Sequence, residues 1–144
     1  MPTTFTKDRV KSDLFGRAPD KGYQCESVNV RNTSGAAVTV AKDQVFGQPV
    51  KWDTDHWEFV LATDEANATA IVFEGPALDE LANNGEVKCA ILRRGPMVLK
   101  SGGWPAKDIA GTNLTTATIE TQLAALSPPI LVATDNSVQE EADI

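Results

Sequence analysis

The stretch Glu86-Val87-Lys88-Cys89-Ala90-Ile91-Leu92-Arg93-Arg94-Gly95-Pro96-Met97-Val98-Leu99-Lys100 decides the fold class. Val87, Cys89 and Ile91 recur every second residue, the signature of a strand with one buried face. Cys89 on that face reads as a small buried hydrophobe. Gly95-Pro96 breaks the run, because proline has no N–H to give to a ladder, and Met97 to Lys100 resume it. Ser101-Gly102-Gly103-Trp104-Pro105 follows. A helix is predicted from about Leu114 to Leu126, with Asn113 or Thr115 as N-cap. Ile119, Leu123 and Leu126 stand at i, i+4 and i+7, one apolar stripe, and Ala117, Ala124 and Ala125 raise helix propensity. Ser127-Pro128-Pro129 stops the helix, and Ile130 to Ala133 form a short closing strand. One principal α-helix near the C-terminus, held between strands, predicts a mainly β, barrel-like domain.

Upstream, Trp57–Leu61 and Thr69–Glu74 read as strands joined by Asp64 to Asn67. Tyr23–Asn32 and Ala37–Ala41 read as a hairpin around the turn Thr33-Ser34-Gly35. Gly47 and Pro49 demote Gln44–Lys51 to short or edge pairing. Leu78 and Leu81, at helical spacing, suggest one helical turn within Pro76–Asn84, closed by Asn83-Asn84-Gly85. Several short strands with frequent turns mean a sandwich or small barrel.

Residues 1–22 differ from the rest. Lys7, Asp8, Arg9, Lys11, Asp13, Arg17, Asp20 and Lys21 mix both signs of charge, with Phe5, Val10, Leu14 and Phe15 scattered among them. Lys7 to Phe15 suggest about two turns of helix, marginal on their own. The expected organisation is a flexible N-terminal arm over 1–22, a β-rich domain over 23–135 and an acidic tail over 136–144.

A chain of 144 residues with 42% hydrophobic content fits one domain with its own core. The formal net charge of -7 repels phosphate backbones, which argues against nucleic-acid binding. The N-terminus has no apolar h-region and no stretch approaches membrane-span length, so synthesis in the cytosol and no membrane partner are expected. That compartment disfavours a disulfide between Cys25 and Cys89, and the two cysteines lack zinc-site spacing.

A catalytic set is hard to assemble from this chain. His56 is the single histidine and lies between Asp55 and Trp57, where a turn is the simplest reading. The pairs Asp53/Asp55 and Asp64/Glu65 fall in predicted turns, where Asp is favoured for local backbone bonds. The glycines form no phosphate-binding pattern, and Gly102-Gly103 serves backbone conformation. Arg93 and Arg94 point to opposite faces of a strand, so at least one faces solvent or meets an acid. The sequons at Asn32, Asn67 and Asn113 carry no weight without secretion. No catalytic residue, metal ligand or cofactor is expected. Trp104 either plugs an open end of the β core or anchors an interface.

Four pieces, in order, resemble the head decoration proteins of tailed bacteriophages, the lambda D-like family. They are Ala37-Val38-Thr39-Val40-Ala41 with Gln44 and Gly47-Gln48-Pro49-Val50; Val60-Leu61-Ala62-Thr63-Asp64 before Ala70-Ile71-Val72; Ala90-Ile91-Leu92-Arg93-Arg94-Gly95-Pro96; and Trp104-Pro105, the Ala-rich helix ending Leu123-Ala124-Ala125-Leu126, then Ile130-Leu131-Val132. The resemblance runs from Ala36 to Asp135. Pro128-Pro129-Ile130 stands where members often have Gly-Ile, and the strand over Cys25–Asn32 has no counterpart in the shortest members. The resemblance implies a β-tulip fold assembling as a homotrimer on the outer surface of the mature virion head. There it clamps the major capsid protein against DNA pressure without a cofactor. It also implies an arm that orders on the capsid; the residues themselves suggest Phe5, Val10, Leu14 and Phe15 as its contacts, since apolar groups are costly to leave exposed, and Trp104 as a further candidate anchor. The alternative from the residues is a small β-clip or barrel domain that binds a sugar or metabolite, with Trp52, Trp57 and Trp104 as a stacking platform.

Overall fold

A computed structural model describes residues 8–17 and 24–133. The described strands are β1 (Phe15–Arg17), β2 (Gln24–Asn32), β3 (Val38–Val40), β4 (Pro49–Asp53), β5 (Glu58–Leu61), β6 (Ala70–Glu74), β7 (Leu78–Leu81), β8 (Glu86–Arg94), β9 (Met97–Lys100) and β10 (Ile130–Ala133). The helices are a single turn, α1 (Lys42–Val45), and the principal helix, α2 (Thr116–Ala124). The protein is mainly β, as the sequence predicts. No helix among the described residues is long and apolar enough to cross a membrane.

Strands β2, β5, β4, β6 and β8 close into a barrel in that order. Alternation sends Val30, Val50, Phe59, Leu61, Ala70, Val72, Cys89 and Ile91 into its interior. The opposite faces of β6 and β8 are also buried. Ile71 and Leu92 join a second core with Leu14, Phe15, Met97, Leu99, Trp104, Ile119, Leu123 and Ile130. Burial on both faces explains the unbroken apolar runs Ala70-Ile71-Val72 and Ile91-Leu92. The second core is built on the sheet β1-β9-β10 and on α2, which packs against β10. β10 lies parallel to β9, with Ile130 opposite Met97, and α2 sits in the crossover such a pair requires.

Several local expectations give way to tertiary pairing. β2 does not form a hairpin with β3; it pairs antiparallel with β8 and parallel with β5. Asn32, fully buried, anchors the end of β2: its Nδ2 donates to the carbonyls of Ala36, Leu81 and Ala82 at 2.9, 2.9 and 3.2 Å. β3 instead pairs with β7, and this ribbon adds Val38, Val40 and Leu78 to the barrel core. The helical turn expected around Leu78 and Leu81 is therefore strand β7. Leu78 opposes Val40 and Leu81 opposes Val38, with an irregularity between. Glu80 sits there at φ 48°. Its left-handed backbone lets two residues three apart face one core, which imitates helical spacing. The edge expected over Gln44–Lys51 becomes α1 and then β4, an internal barrel strand between β5 and β6. α2 is shorter than expected, but its stripe holds: Ile119 and Leu123 are buried and Leu126 packs against them. Thr115 is the N-cap without a side-chain bond; Glu65 Oε1 instead accepts from the Thr115 N–H at 3.4 Å.

The flexible-arm expectation also needs correction for residues 8–17. They form one 3-10 turn, Lys11–Asp13, and strand β1, antiparallel to β9. Leu14 and Phe15 are core residues, the Phe15 ring lying 4.6 Å from Phe73 and 6.2 Å from Phe46 between centroids. Arg9 ties the segment down. Its guanidinium donates to the Gly103 carbonyl at 2.7 and 3.2 Å, to the Phe46 carbonyl at 3.1 Å and to the Asp43 carbonyl. It also lies 3.8 Å from the Phe46 ring centroid. Burial lowers the Arg9 pKa, opposed by the charges of Asp43 and Asp13. Two glycines accept the segment. A Cβ on Gly47, whose φ is +90°, would meet Leu14 at 2.8 Å, and one on Gly103 would fall 1.8 Å from the Asp13 carbonyl oxygen. Phe5 and residues 18–23 lie outside the described residues, as does the acidic tail expected over 136–144.

Cys25 and Cys89 are both free thiols. Burial pushes the Cys89 thiol up to about 11, and burial likewise raises that of Cys25. Cys89 is 2% exposed, so a maleimide should label Cys25 first and Cys89 after denaturation. As pH rises from about 9 toward 11, the unfolded chain loses a thiol proton that the folded chain keeps. Stability should therefore fall across that window by roughly 3 kcal/mol. Cys89→Ala should flatten this part of the pH profile in denaturant titrations; an identical slope would contradict the burial argument.

Candidate functional site

The interior rows of the barrel change character at the end away from Asn32. On β2 the row Val30, Val28 continues to Glu26; on β4, Val50 is followed by Trp52; on β8, Ile91 is followed by Arg93. The mouth so formed is an open groove of about 680 Å³ lined by Glu26, Val28, Asn29, Trp52, Trp57, Glu58, Phe59 and Arg93. Barrel mouths are frequent ligand sites because strand ends converge there around an apolar floor.

Its aromatic wall comes from the β4–β5 hairpin. Trp52 opposes Phe59 across the ladder, with centroids 5.1 Å apart and planes at 75°. Trp57 stands 6.2 Å from Trp52 at 71°. Trp52 is 41% and Trp57 75% exposed. Trp57 also has φ 52°, a left-handed conformation that glycine adopts freely and that costs a bulky residue about 1–3 kcal/mol. The loop Thr54–Trp57 is braced by Asp53. Its Oδ1 accepts from the Asp55 N–H at 2.9 Å, and its Oδ2 lies 2.5 Å from His56 Nδ1. Those bonds, the His56 contact foremost, hold the Asp53 carboxyl below its ordinary pKa.

The polar wall is an ion pair. The register steps from Cys25 opposite Leu92 to Gln24 opposite Arg94, which leaves Arg93 as the extra residue of a bulge. Bulges re-aim side chains, and Arg93 Nη1 meets the Glu26 carboxylate oxygens at 3.0 and 3.1 Å. Its guanidinium also lies 5.3 Å from the Phe59 ring centroid. Glu58 at the rim accepts from Arg31 Nε, and Arg31 also reaches Glu86 at 2.6 Å.

The residues singled out from sequence are dispersed. Val10 is 45% exposed; Leu14 and Phe15 are interior, so they cannot serve as a free contact surface in this arrangement. Trp104 is 8% exposed in the second core, and its Nε1–H donates to Glu120 Oε1 at 3.2 Å. It thus fills the core rather than standing out as an anchor, and it takes no part in a platform with Trp52 and Trp57. Asp64 caps the 3-10 turn Glu65–Asn67 by accepting from the Ala66 N–H at 3.2 Å. Among the described residues, no group of three or more His, Cys, Asp and Glu side chains is placed to hold a metal ion. The Glu26–Arg93 pair, 67 residues apart, is not among the residues that sequence patterning singles out as a site. The one sequence signal is an inward-facing charge at the end of the apolar rows of β2 and β8, and it becomes readable once the register between those strands is known.

No family model matches this chain, and no curated protein matches it.

Proposed function

We propose that this chain is a structural capsid decoration protein of a tailed-bacteriophage virion, not an enzyme. It attaches as trimers to the outside of the mature head and braces the major capsid protein. One observation carries the reading: the four sequence pieces that resemble the decoration family fold together as one packed body. Val50, Val60, Leu61, Ala70, Ile71, Val72, Ile91 and Leu92 belong to barrel strands, while Trp104, Leu123 and Ile130 belong to the layer stacked on β6 and β8. Pieces scattered from Val38 to Val132 thus share two adjoining cores, which supports reading the resemblance as that of a whole domain. A trimer meeting several capsid subunits adds modest contacts into firm retention.

The test mixes purified protein with expanded heads that lack decoration and images the particles. Trimeric density at threefold and quasi-threefold positions is the expected result. Bare heads at saturating protein would overturn the proposal.

A further inference from the structure

We propose that the barrel mouth is a carbohydrate-binding site that takes a neutral pyranose unit of an oligosaccharide. The inference stands apart from the capsid reading and does not depend on it. It rests first on Trp57. A bulky aromatic occupies a left-handed loop position at φ 52° and is 75% exposed, so it contributes little to the core while occupying a conformation that favours glycine. Backbone strain of this kind, on an exposed side chain in a groove, points to use of the ring.

The second observation is the pairing of chemistries across the groove. Trp52 and Trp57 stand nearly perpendicular, 6.2 Å apart, and form a corner. The electron-rich face of an indole attracts the C–H face of a pyranose. Facing it, Glu26 and Arg93 are held together at 3.0 Å, with Asn29 and Glu58 beside them. A carboxylate contributes acceptors and a guanidinium contributes N–H donors. Together they present acceptors and donors side by side, which suits vicinal hydroxyls that each donate and accept. The acceptors also separate this ligand from a proline-rich peptide, which offers carbonyl acceptors and few donors. The overall charge of -7 favours a neutral sugar over an acidic one.

The experiment titrates the full chain with maltoheptaose, cellopentaose and chitotriose, and with a decaproline peptide, reading tryptophan emission and heat. At least one oligosaccharide should bind with a dissociation constant in the micromolar to millimolar range. Trp57→Gly should weaken that binding tenfold or more while leaving the melting temperature unchanged or higher, since glycine relieves the loop. Glu26→Gln keeps the shape of the polar wall and should weaken binding severalfold. The proposal is overturned if none of the three sugars binds at about 10 mM. Binding that survives Trp57→Gly at full strength, or binding of decaproline alone, overturns it equally.

Discussion

Deletion of residues 1–17 is expected to leave a protein that no longer folds stably. The segment looks peripheral by position, yet Leu14 is fully buried and Phe15 is 8% exposed. Truncating a buried Leu costs about 2–5 kcal/mol and a buried Phe about 3–5 kcal/mol. The deletion also removes β1 from the edge of β9, and the Lys100 N–H loses the Leu14 carbonyl to which it donates at 2.8 Å. The Gly103 and Phe46 carbonyls lose the Arg9 guanidinium as well. A loss of this size is comparable to the whole stability of an ordinary domain, roughly 5–15 kcal/mol. Circular dichroism should show either no cooperative melt or one displaced far to lower temperature. Leu14→Ala is the milder version, expected to cost about 2–5 kcal/mol in denaturant titrations. A deletion variant melting like the intact protein would show that residues 8–17 lie outside the cooperative unit. In the capsid reading, this burial takes Leu14 and Phe15 out of the apolar arm residues expected to contact a head, while Val10 is 45% exposed.

Leu123→Ala is the second large effect. Leu123 is fully buried on α2, alongside Ile119, in the core that includes Ile71, Leu92 and Ile130. The helix is short and its N-cap makes no side-chain bond, so its place depends on packing more than on propensity. Removing the isobutyl group leaves a cavity between α2 and the strands beneath it. The expected loss is about 2–5 kcal/mol, with the upper part of the range applying if the neighbours fail to collapse inward. An unchanged melting temperature would mean that the stripe does not bear on the core.

The elements that sequence patterning predicts well are those whose environment is set locally. β5, β6, β8 and β9 alternate or run apolar within a few residues of turn formers, and α2 carries a stripe closed by Pro128 and Pro129. Misreadings occur where burial depends on a distant partner. Leu78 and Leu81 carry helical spacing because Glu80 bends β7 so that both meet the β3 side of the barrel. Leu14 and Phe15 show no periodicity because one is at the end of a 3-10 turn and the other begins a three-residue strand. What buries them is β9, Gly47 and Phe73, all remote in sequence.

The candidate site divides the same way. Trp52 and Trp57 are visible in the sequence as near neighbours flanking a turn, and hairpin geometry is enough to bring them together. Trp104 looks equivalent on composition, and its burial against Glu120 separates it. Glu26 and Arg93 are 67 residues apart, and a bulge in β8 aims one at the other.

By itself, then, the sequence determined the class of the locally patterned segments, the faces of their strands and the stripe of the principal helix, because these follow from side-chain periodicity and local backbone chemistry. It did not determine which strands pair. β2 beside β5 and β10 beside β9, both parallel, and β1 on the edge of β9 follow from joining two cores through β6 and β8. Strand pairing gains nearly the same hydrogen bonds with any partner, so the choice falls to nonlocal packing, which makes the barrel, its mouth and the seat of the N-terminal segment properties of the tertiary structure.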